Sequence, residues 1–229
     1  MSDAVNGDVE QLSKALLEGN RVTAWTLLRR YANDIGDSLG VYDYLTQTMR
    51  WIGQLWMENE ITVADEHLAT GICDYILSQY AYYHLADNRY AHQTVRNQRA
   101  MFFCVEGESH YLGLKMVRLL FQEAGYETVF LGTQIPLAET IEYAKQFQPS
   151  IIGISASMSY HLPSVVKAVE AFHSLKTLEK FKIIVGGRLI QQIADDVSRF
   201  SHCLLFHNLK EVQHWLENDA NSSLRPRLG

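Results

Sequence analysis

The most chemically suggestive spacing in the chain is a histidine with an acid two residues before it and a glycine three residues after it. These residues are Glu108, His110 and Gly113, in the segment EGESHYLG. An imidazole can bind a metal through one ring nitrogen while the other donates its proton to a carboxylate, which fixes the tautomer and makes the ligand more basic. A glycine there would let a bulky planar group approach the backbone. The spacing indicates a metal site, although a loop histidine is more often solvated or bonded to backbone.

The segments around this motif predict a strand before it and a helix after it, in a chain half that alternates the two. Short apolar runs predict strands at 100–106, 127–131, 150–155, 181–186 and 202–206. Amphipathic segments predict helices at 112–124, 137–147, 162–175, 189–198 and 208–217. This pattern is typical of a parallel sheet covered on both faces. Right-handed crossovers then bring all strand carboxyl ends to one edge, together with His110, Gly132, Ser155 and Gly186.

Two further motifs follow predicted strands at the same edge. They are Ser155-Ala156-Ser157 and Gly186-Gly187. With the first motif, they make residues 98–217 resemble cobalamin-binding domains, whose signature is an acid-x-His-x-x-Gly, a Ser-x-Leu and a Gly-Gly. Glu108 stands where that family more often has Asp, and Ser157 stands where it has Leu.

The resemblance implies a fold, a cofactor and a set of binding residues. It implies an α/β chain with a Rossmann-like (flavodoxin-like) five-stranded parallel sheet that binds cobalamin. His110 would be the lower axial ligand of cobalt, and the displaced base of the cofactor tail would enter a slot beside the serine and glycine motifs. The implied binding residues of this half are Glu108, Ser109, His110, Gly113, Ser155, Ser157, Gly186 and Gly187.

The N-terminal part of the chain predicts a separate helical domain. Four amphipathic helices joined by short turns over residues 8–86 predict an up-down four-helix bundle. The polar and basic segment 87–99 is predicted to be a linker, residues 100–217 the α/β domain, and the polar segment 218–229 a tail.

The apolar spacing of two of these helices predicts which residues face the bundle core. The second helix carries Val22, Trp25, Leu28, Ala32 and Ile35 at spacings of three and four. The fourth carries Ala64, Leu68, Ile72, Tyr75, Ile76 and Tyr83.

A second constellation joins the third and fourth helices. Trp56 is followed after nine residues by Glu66-His67, with Val63 between them. From the residues alone, a core tryptophan and an exposed acid–histidine pair explain it. The spacing also resembles that of light-sensing, adenosylcobalamin-binding regulators of the CarH type, which implies that Trp56, Val63, Glu66 and His67 surround the adenosyl group. Met57 stands where those regulators have a second cobalt-binding histidine, which puts their photoadduct in doubt.

Composition predicts a globular, cytoplasmic protein. The chain has 229 residues, of which 47% are hydrophobic and 20% charged. A net charge of -6 gives no overall attraction to DNA or anionic lipid, so no direct DNA binding is expected. The three cysteines form no CxxC pair and are predicted to be buried thiols in a reducing compartment. Neither a signal-peptide core nor a run of ~18 apolar residues is present.

The function favoured by these resemblances is sensory. We expect a light-responsive protein that binds adenosylcobalamin and acts on transcription through a protein partner, with homo-oligomerisation as an option. Catalysis by this chain alone is not expected. The main alternative is a corrinoid shuttle subunit of a methyltransferase system, for which methylcobalamin is the expected cofactor. The small subunit of an adenosylcobalamin mutase is a third option.

Overall fold

The computed structural model of the chain describes residues 7–86, 98–175, 178, 181–192 and 200–223. They form two compact units, one within Met1–Ala91 and the other within His92–Gly229.

The first unit consists of four helices, as predicted. They are α1 (Gly7–Leu17), α2 (Arg21–Ile35), α3 (Ser38–Met57) and α4 (Val63–Ala86). Side-chain oxygens cap two of the helix starts, because Asn20 accepts a hydrogen bond from the Thr23 N–H at 3.1 Å and Asp37 accepts one from the Gly40 N–H at 2.7 Å. Polar residues in the short turns therefore fix where α2 and α3 begin.

The buried faces of α2 and α4 agree with the prediction only in part, because Leu28, Ile72 and Ile76 are buried as expected but other predicted positions are exposed. Val22 and Ile35 are exposed, and the buried positions of α2 are Ala24 and Leu28. In α4, Leu68, Tyr75 and Tyr83 are exposed, whereas the core is formed by Ala69, Ile72, Cys73, Ile76 and Leu77. Apolar residues occur around much of α4, so their period does not select one face. Packing in the bundle buries the stripe that begins with the small residue Ala69.

The second unit is a five-stranded parallel sheet covered by helices, which confirms the predicted fold class. Its strands are β1 (Arg99–Cys104), β2 (Glu127–Gly132), β3 (Ile151–Ser155), β4 (Lys182–Gly186) and β5 (Cys203–Phe206). Its helices are α5 (Leu112–Glu123), α6 (Leu137–Phe147), α7 (Leu162–His173) and α8 (Leu209–Ser223). The strand order is β2-β1-β3-β4-β5, and every pair is parallel. The strand order reverses between β1 and β3, because the connection after β1 leads to β2 on one side and the connection after β3 leads to β4 on the other. Open α/β sheets typically bind ligands at the carboxyl ends of the two strands at such a reversal.

Three segments of this unit differ from the expected ones. A short 3-10 helix, Arg188–Gln192, stands where a helix over 189–198 was predicted, and residues 193–199 lie outside the described residues. Arg99 belongs to β1 although it was assigned to the linker, of which 87–97 lie outside the described residues.

Helix α8 continues into the segment that was predicted to be a tail. It ends at Ser223, and 224–229 lie outside the described residues. Asp219 anchors this part of the helix to the domain, because it accepts hydrogen bonds from the Tyr126 hydroxyl at 3.1 Å and from the Lys182 ammonium at 3.3 Å. Tertiary contacts therefore extend a helix that has no apolar period there.

None of the helices in the described part of the chain combines the length and apolar character that a membrane crossing requires.

Candidate functional site

The site is built around the Glu108 carboxylate, which lies just beyond β1 and is fully buried. Its Oε1 accepts hydrogen bonds from the backbone N–H of His110 at 2.8 Å and from the Nδ1 of the same residue at 2.6 Å. Its Oε2 accepts one from the backbone N–H of Ser157 at 2.5 Å and another from Nδ1 of His161 at 3.2 Å. A carboxylate has about four acceptor positions, so these four donors use its capacity.

A tight turn directs this carboxylate inward. Gly107 has φ 86°, in the left-handed region that suits glycine, and the Glu108 N–H donates to the Val105 carbonyl at 3.0 Å. A Cβ at position 107 would also lie 3.4 Å from Nε2 of His161. The turn after β1 thus places Glu108 against the loop that follows β3.

The hydrogen bonds keep Glu108 ionised despite its burial. Burial raises the pKa of Glu108, but the bonds from the side chain and backbone of His110 and from the backbone of Ser157 outweigh it and hold the pKa at about 2. A carboxylate only accepts hydrogen bonds, so His110 donates from Nδ1. A neutral His110 therefore has its lone pair on Nε2, and its side chain is 61% exposed.

The neighbouring thiol does not compete with this imidazole for a metal. Cys104 is buried at the end of β1, and its Sγ lies 3.8 Å from the His110 carbonyl oxygen. Burial and then the charge of Glu108 raise the pKa of the Cys104 thiol to about 12. The thiolate is the form that binds metals, and this cysteine stays protonated at neutral pH.

The serine and glycine motifs lie side by side at the carboxyl ends of β3 and β4. Ser155 is paired in register with Gly186, and Gly187 has φ 107°. A Cβ on Gly187 would overlap the carbonyl oxygen of Ala156 and lie 2.9 Å from its carbonyl carbon. The two loops approach so closely that the backbone at position 187 has no room for a side chain.

The beginning of α5 is open, in contrast to this crowded part of the edge. A Cβ on Gly113 would meet no other heavy atom of the described residues within 4 Å. Ser109, beside the histidine, is exposed. Open space therefore lies beside Gly113 at the start of α5, and the approach of a large flat group to this backbone stays a prediction.

The residues around His110 fit a metal ion that is already bound inside a macrocyclic cofactor. No group of three or more His, Cys, Asp or Glu side chains in the described part of the chain could enclose a bare metal ion. One exposed imidazole, with its other nitrogen on a buried carboxylate, instead suits the axial position of a metal whose remaining ligands come from a cofactor.

The predicted constellation in the helical unit is partly assembled. Nδ1 of His67 lies 2.9 Å from the Val63 carbonyl oxygen and 3.0 Å from Oε2 of Glu66, and the Thr70 hydroxyl donates to Oε1 of Glu66 at 2.8 Å. Trp56, at the end of α3, is 48% exposed, so the alternative of a core tryptophan is wrong. The role of these residues around an adenosyl group stays a prediction.

Comparisons with known proteins match both units to one kind of domain. A family model described as "B12 binding domain" matches residues 98–202, and a second family model with the same description matches residues 9–80. The chain therefore carries a B12-binding domain pair, a helical domain followed by a Rossmann-like domain.

The curated relatives are corrinoid proteins. A dimethylamine corrinoid protein of Methanosarcina mazei is 34% identical over 83 residues, which are 36% of this chain and 50% of that protein. A trimethylamine corrinoid protein of Methanosarcina acetivorans is 30% identical over 88 residues, 38% of this chain and 41% of that protein. The chain thus spans half or less of the length of these relatives.

A solved structure supports the fold. The monomethylamine corrinoid protein of Methanosarcina barkeri aligns with a TM-score of 0.73, covering 94% of this chain and 100% of that one. Its sequence identity is 17%, so this likeness shows the fold alone.

The expectation of a light-sensing transcription regulator is wrong. The relatives are named corrinoid proteins of methylamine systems, and neither a photoreceptor nor a transcription regulator as partner is supported. The role of His110 as the lower cobalt ligand stays a prediction, and it does not by itself distinguish a sensor from a carrier. Cobalamin binding is supported, but the predicted preference for adenosylcobalamin is not.

One residue of the site was missed by sequence reasoning. His161 bonds to Glu108 across 53 residues of sequence, and it lies just before the predicted helix at 162–175. No spacing rule connects the two positions. Only the strand order, which sets β1 beside β3, brings their loops together.

We expect the Glu108→Gln substitution to weaken both the apoprotein and cobalamin binding. Both carboxylate oxygens face donors, so either orientation of the glutamine amide sets its NH2 group against another N–H. The free energy of unfolding should fall by about 1.5–3 kcal/mol, as for a lost hydrogen bond to a charged group. Cobalamin affinity should fall by the ~10–100-fold typical of residues that orient a metal ligand. Urea unfolding and equilibrium binding measure the two effects.

Glu211→Gln is the matched control. Glu211 also accepts hydrogen bonds from the backbone N–H and Nδ1 of one histidine, His207, at 2.8 and 3.1 Å, but both side chains are exposed. We expect this control to change unfolding by less than about 1 kcal/mol. Equal effects at the two positions would contradict the importance assigned to the burial of Glu108.

Proposed function

We propose that this chain is the corrinoid carrier of a methyltransferase system, and that cobalamin binds to it through His110. The observation that carries the proposal is the His110 imidazole, fixed by a buried carboxylate at the strand-order reversal of a B12-binding domain. The similarity to proteins named methylamine corrinoid proteins supports a carrier rather than a sensor.

Bound cobalamin supplies a cobalt atom that can accept a methyl group and give it up again. The role of this protein would be to hold that cofactor in one orientation. His110 would bind from below through Nε2, while Glu108 keeps the proton on Nδ1 and makes the imidazole a stronger donor. Gly113 leaves room beside the ligand, and the edge formed by Ser155, Ser157, Gly186 and Gly187 would hold the tail of the cofactor.

The partners of such a carrier are methyltransferases, one that delivers the methyl group and one that removes it. The names of the relatives favour a methylated amine as the original methyl donor. That donor would be recognised by the partner enzyme rather than by this chain. The prediction that the chain alone is not an enzyme agrees with this role.

The choice of cofactor gives a direct test. A carrier must accept the small methyl group on cobalt, so the purified protein should bind methylcobalamin at least as tightly as adenosylcobalamin. Glu66→Ala, in the predicted adenosyl pocket, should leave methylcobalamin affinity unchanged within about twofold, because a methyl group does not extend to a ribose-binding carboxylate. Equilibrium dialysis against both cofactors, in wild type and Glu66→Ala, measures these affinities.

A reactivity measurement completes the test. The cobalt of the loaded protein is first reduced to the cobalt(I) state, and methyl iodide is then added. The absorption spectrum should change to that of methylcobalamin as the methyl group is transferred to cobalt and iodide is released. The carrier role would be refuted by a strong preference for adenosylcobalamin that Glu66→Ala removes. A loaded protein that cannot be methylated would refute it as well.

A further inference from the structure

The outer side of helix α4 carries a stripe of uncharged residues that are all exposed. They are spaced alternately by four and three positions: Ala64, Leu68, Gly71, Tyr75, Ser78 and Tyr82. At about 100° per residue, they fall within roughly 80° of the helix circumference, opposite to the buried Cys73. Helices show this spacing where they pack against another helix. Helix α4 therefore has a second packing face, in addition to its face in the bundle core.

The order of large and small residues along this stripe is self-complementary. Two copies of α4 can pack antiparallel about a two-fold axis level with Cys73, so that each contact occurs twice. The three pairs are then Tyr82 with Ala64, Leu68 with Ser78, and Tyr75 with Gly71. Each pair joins a large side chain to a small residue, which fills the space between two close helices. This matching favours a second copy of the chain as the occupant of the stripe.

The contacts within one copy prepare the stripe for such packing. Beyond the backbone of its own helix, a Cβ added at Gly71 would meet no heavy atom of the described residues within 4 Å. The Ser78 hydroxyl donates to the Asp74 carbonyl at 2.8 Å, so an apolar side chain can cover it without loss of a hydrogen bond. The Arg21 guanidinium lies 5.5 Å from the centroid of the Tyr75 ring and helps to hold it, which lowers the entropy lost on association.

The exposed area is enough for a weak dimer. A tyrosine can bury about 150–250 Å². Tyr75 is 50% exposed and Tyr82 72%, and Tyr83, whose ring packs edge-on against Tyr82, is 57% exposed. With Leu68 and the small residues, one copy offers roughly 500 Å², and a pair would bury roughly 1,000 Å² in total, near the lower limit of specific interfaces. Dimerisation should therefore be reversible and measurable at micromolar concentration.

We propose that this protein forms a two-fold symmetric dimer in which the α4 stripes of two copies pack antiparallel. The inference goes beyond the proposed function and does not depend on it, because the stripe contains none of the residues assigned to cobalamin. Glu66, in the predicted adenosyl pocket, lies more than about 100° away around the helix.

Sedimentation velocity of the full chain at about 1–100 μM tests the proposal, and the wild type should shift from monomer to dimer in this range. Leu68→Glu should raise the dissociation constant at least ~10-fold, because it introduces a charge into an apolar interface. Ile35→Glu is the matched control, since Ile35 is 44% exposed and Leu68 45%, but Ile35 lies outside the stripe at the end of α2. This control should dimerise like the wild type.

Gly71→Leu distinguishes the paired geometry from non-specific hydrophobic association. A leucine enlarges the exposed apolar surface, so non-specific association would become stronger. In the antiparallel pair it would instead collide with Tyr75 of the second copy, and the dissociation constant should rise at least ~10-fold. The monomer should remain folded, because the position is open and leucine favours a helix more than glycine does.

A mixture of two variants tests the register of the pair. Ser78→Lys sets an ammonium group against Leu68 and should weaken the dimer as Leu68→Glu does. In the mixed dimer, the new carboxylate would face the new ammonium group, and the other contact would remain Leu68 with Ser78. The mixture should therefore associate at least ~10-fold more tightly than either variant alone.

Three results would overturn the proposal: a wild type that stays monomeric at the highest concentration, a Gly71→Leu variant that associates as tightly as the wild type, and a mixture no tighter than its components. The first would assign the stripe to another occupant, such as a partner methyltransferase. If circular dichroism shows that Leu68→Glu does not fold, Gly71→Leu decides alone. His110→Ala should dimerise like the wild type, so failure of the dimer and failure of the proposed function are separate results.

Discussion

Replacing His110 with alanine is expected to weaken cobalamin binding by more than about 100-fold. Residues that merely orient a metal ligand typically change affinity by ~10–100-fold, and the ligand itself should exceed them. The fold should persist, because the His110 side chain is 61% exposed and the backbone N–H at position 110 can still donate to Glu108. We expect the apoprotein to lose only about 1–2 kcal/mol of unfolding free energy from the missing side-chain bond.

His207→Ala is the control for this prediction. His207 also follows a strand of the sheet, β5, and also has its Nδ1 next to a carboxylate, that of Glu211. Its local sequence pattern therefore makes His207 a second candidate for the metal ligand. It lies at the edge strand, however, away from the strand-order reversal. Equilibrium dialysis should show near wild-type affinity for this variant. A larger loss with His207→Ala than with His110→Ala would mean that the wrong histidine has been assigned.

Gly187→Ala is expected to be the most destabilising of the glycine-to-alanine substitutions at this edge of the sheet. The new Cβ would overlap the Ala156 carbonyl oxygen, and φ 107° is unfavourable for alanine. Backbone strain and overlap together should lower the free energy of unfolding by about 3 kcal/mol. Cobalamin affinity should fall as well, because the loops after β3 and β4 would separate.

Gly132→Ala separates the two causes. Gly132 has φ 77° and is the last residue of β2, at the same edge, but a Cβ there would make only an ordinary contact with the Phe130 ring at 3.9 Å. Gly132→Ala should lower the free energy of unfolding through backbone strain alone, by about 1 kcal/mol. Urea unfolding of the two variants under identical conditions measures the difference. Equal losses in both would show that the loops are not in close contact at Gly187.

The α/β half of the fold could be predicted because its signals are local. Each strand is a short apolar run and each connection is a helix, so the crossover rule fixes a parallel sheet with its loops at one edge. The position of His110 follows from the same pattern, since the strand ends at Cys104 and α5 begins at Leu112. Neither conclusion required knowledge of distant contacts.

The features that escaped prediction depend on contacts between distant segments. Nothing in the sequence near His161 indicates that it meets Glu108. The predicted core face of α4 was wrong in part because apolar residues surround that helix, and only bundle packing decides that Leu68 is exposed while Ala69 is buried. The last turns of α8 were assigned to a tail because their stabilising contact, through Asp219, comes from other elements.

The functional expectation failed for a related reason. The residues at His110 are predicted to hold a cofactor, whereas sensing and methyl transfer differ in what the upper side of the cofactor and the partner proteins do. A fold and its ligand motif are shared between such functions. The spacing of Trp56, Glu66 and His67 was taken as a mark of sensing, and the similarity to corrinoid proteins contradicts that interpretation.

The central claim is that this chain holds cobalt through the His110 imidazole, and electron paramagnetic resonance tests it most directly. Protein labelled with ¹⁵N-histidine and loaded with cobalamin in the paramagnetic cobalt(II) state should show an axial nitrogen splitting of two lines. Unlabelled protein should show three, because the nuclear spins of the two isotopes differ. The protein-derived splitting should disappear in His110→Ala and persist in His207→Ala. A three-line splitting that the label leaves unchanged would mean that the cofactor's own base still occupies cobalt, and it would contradict the account.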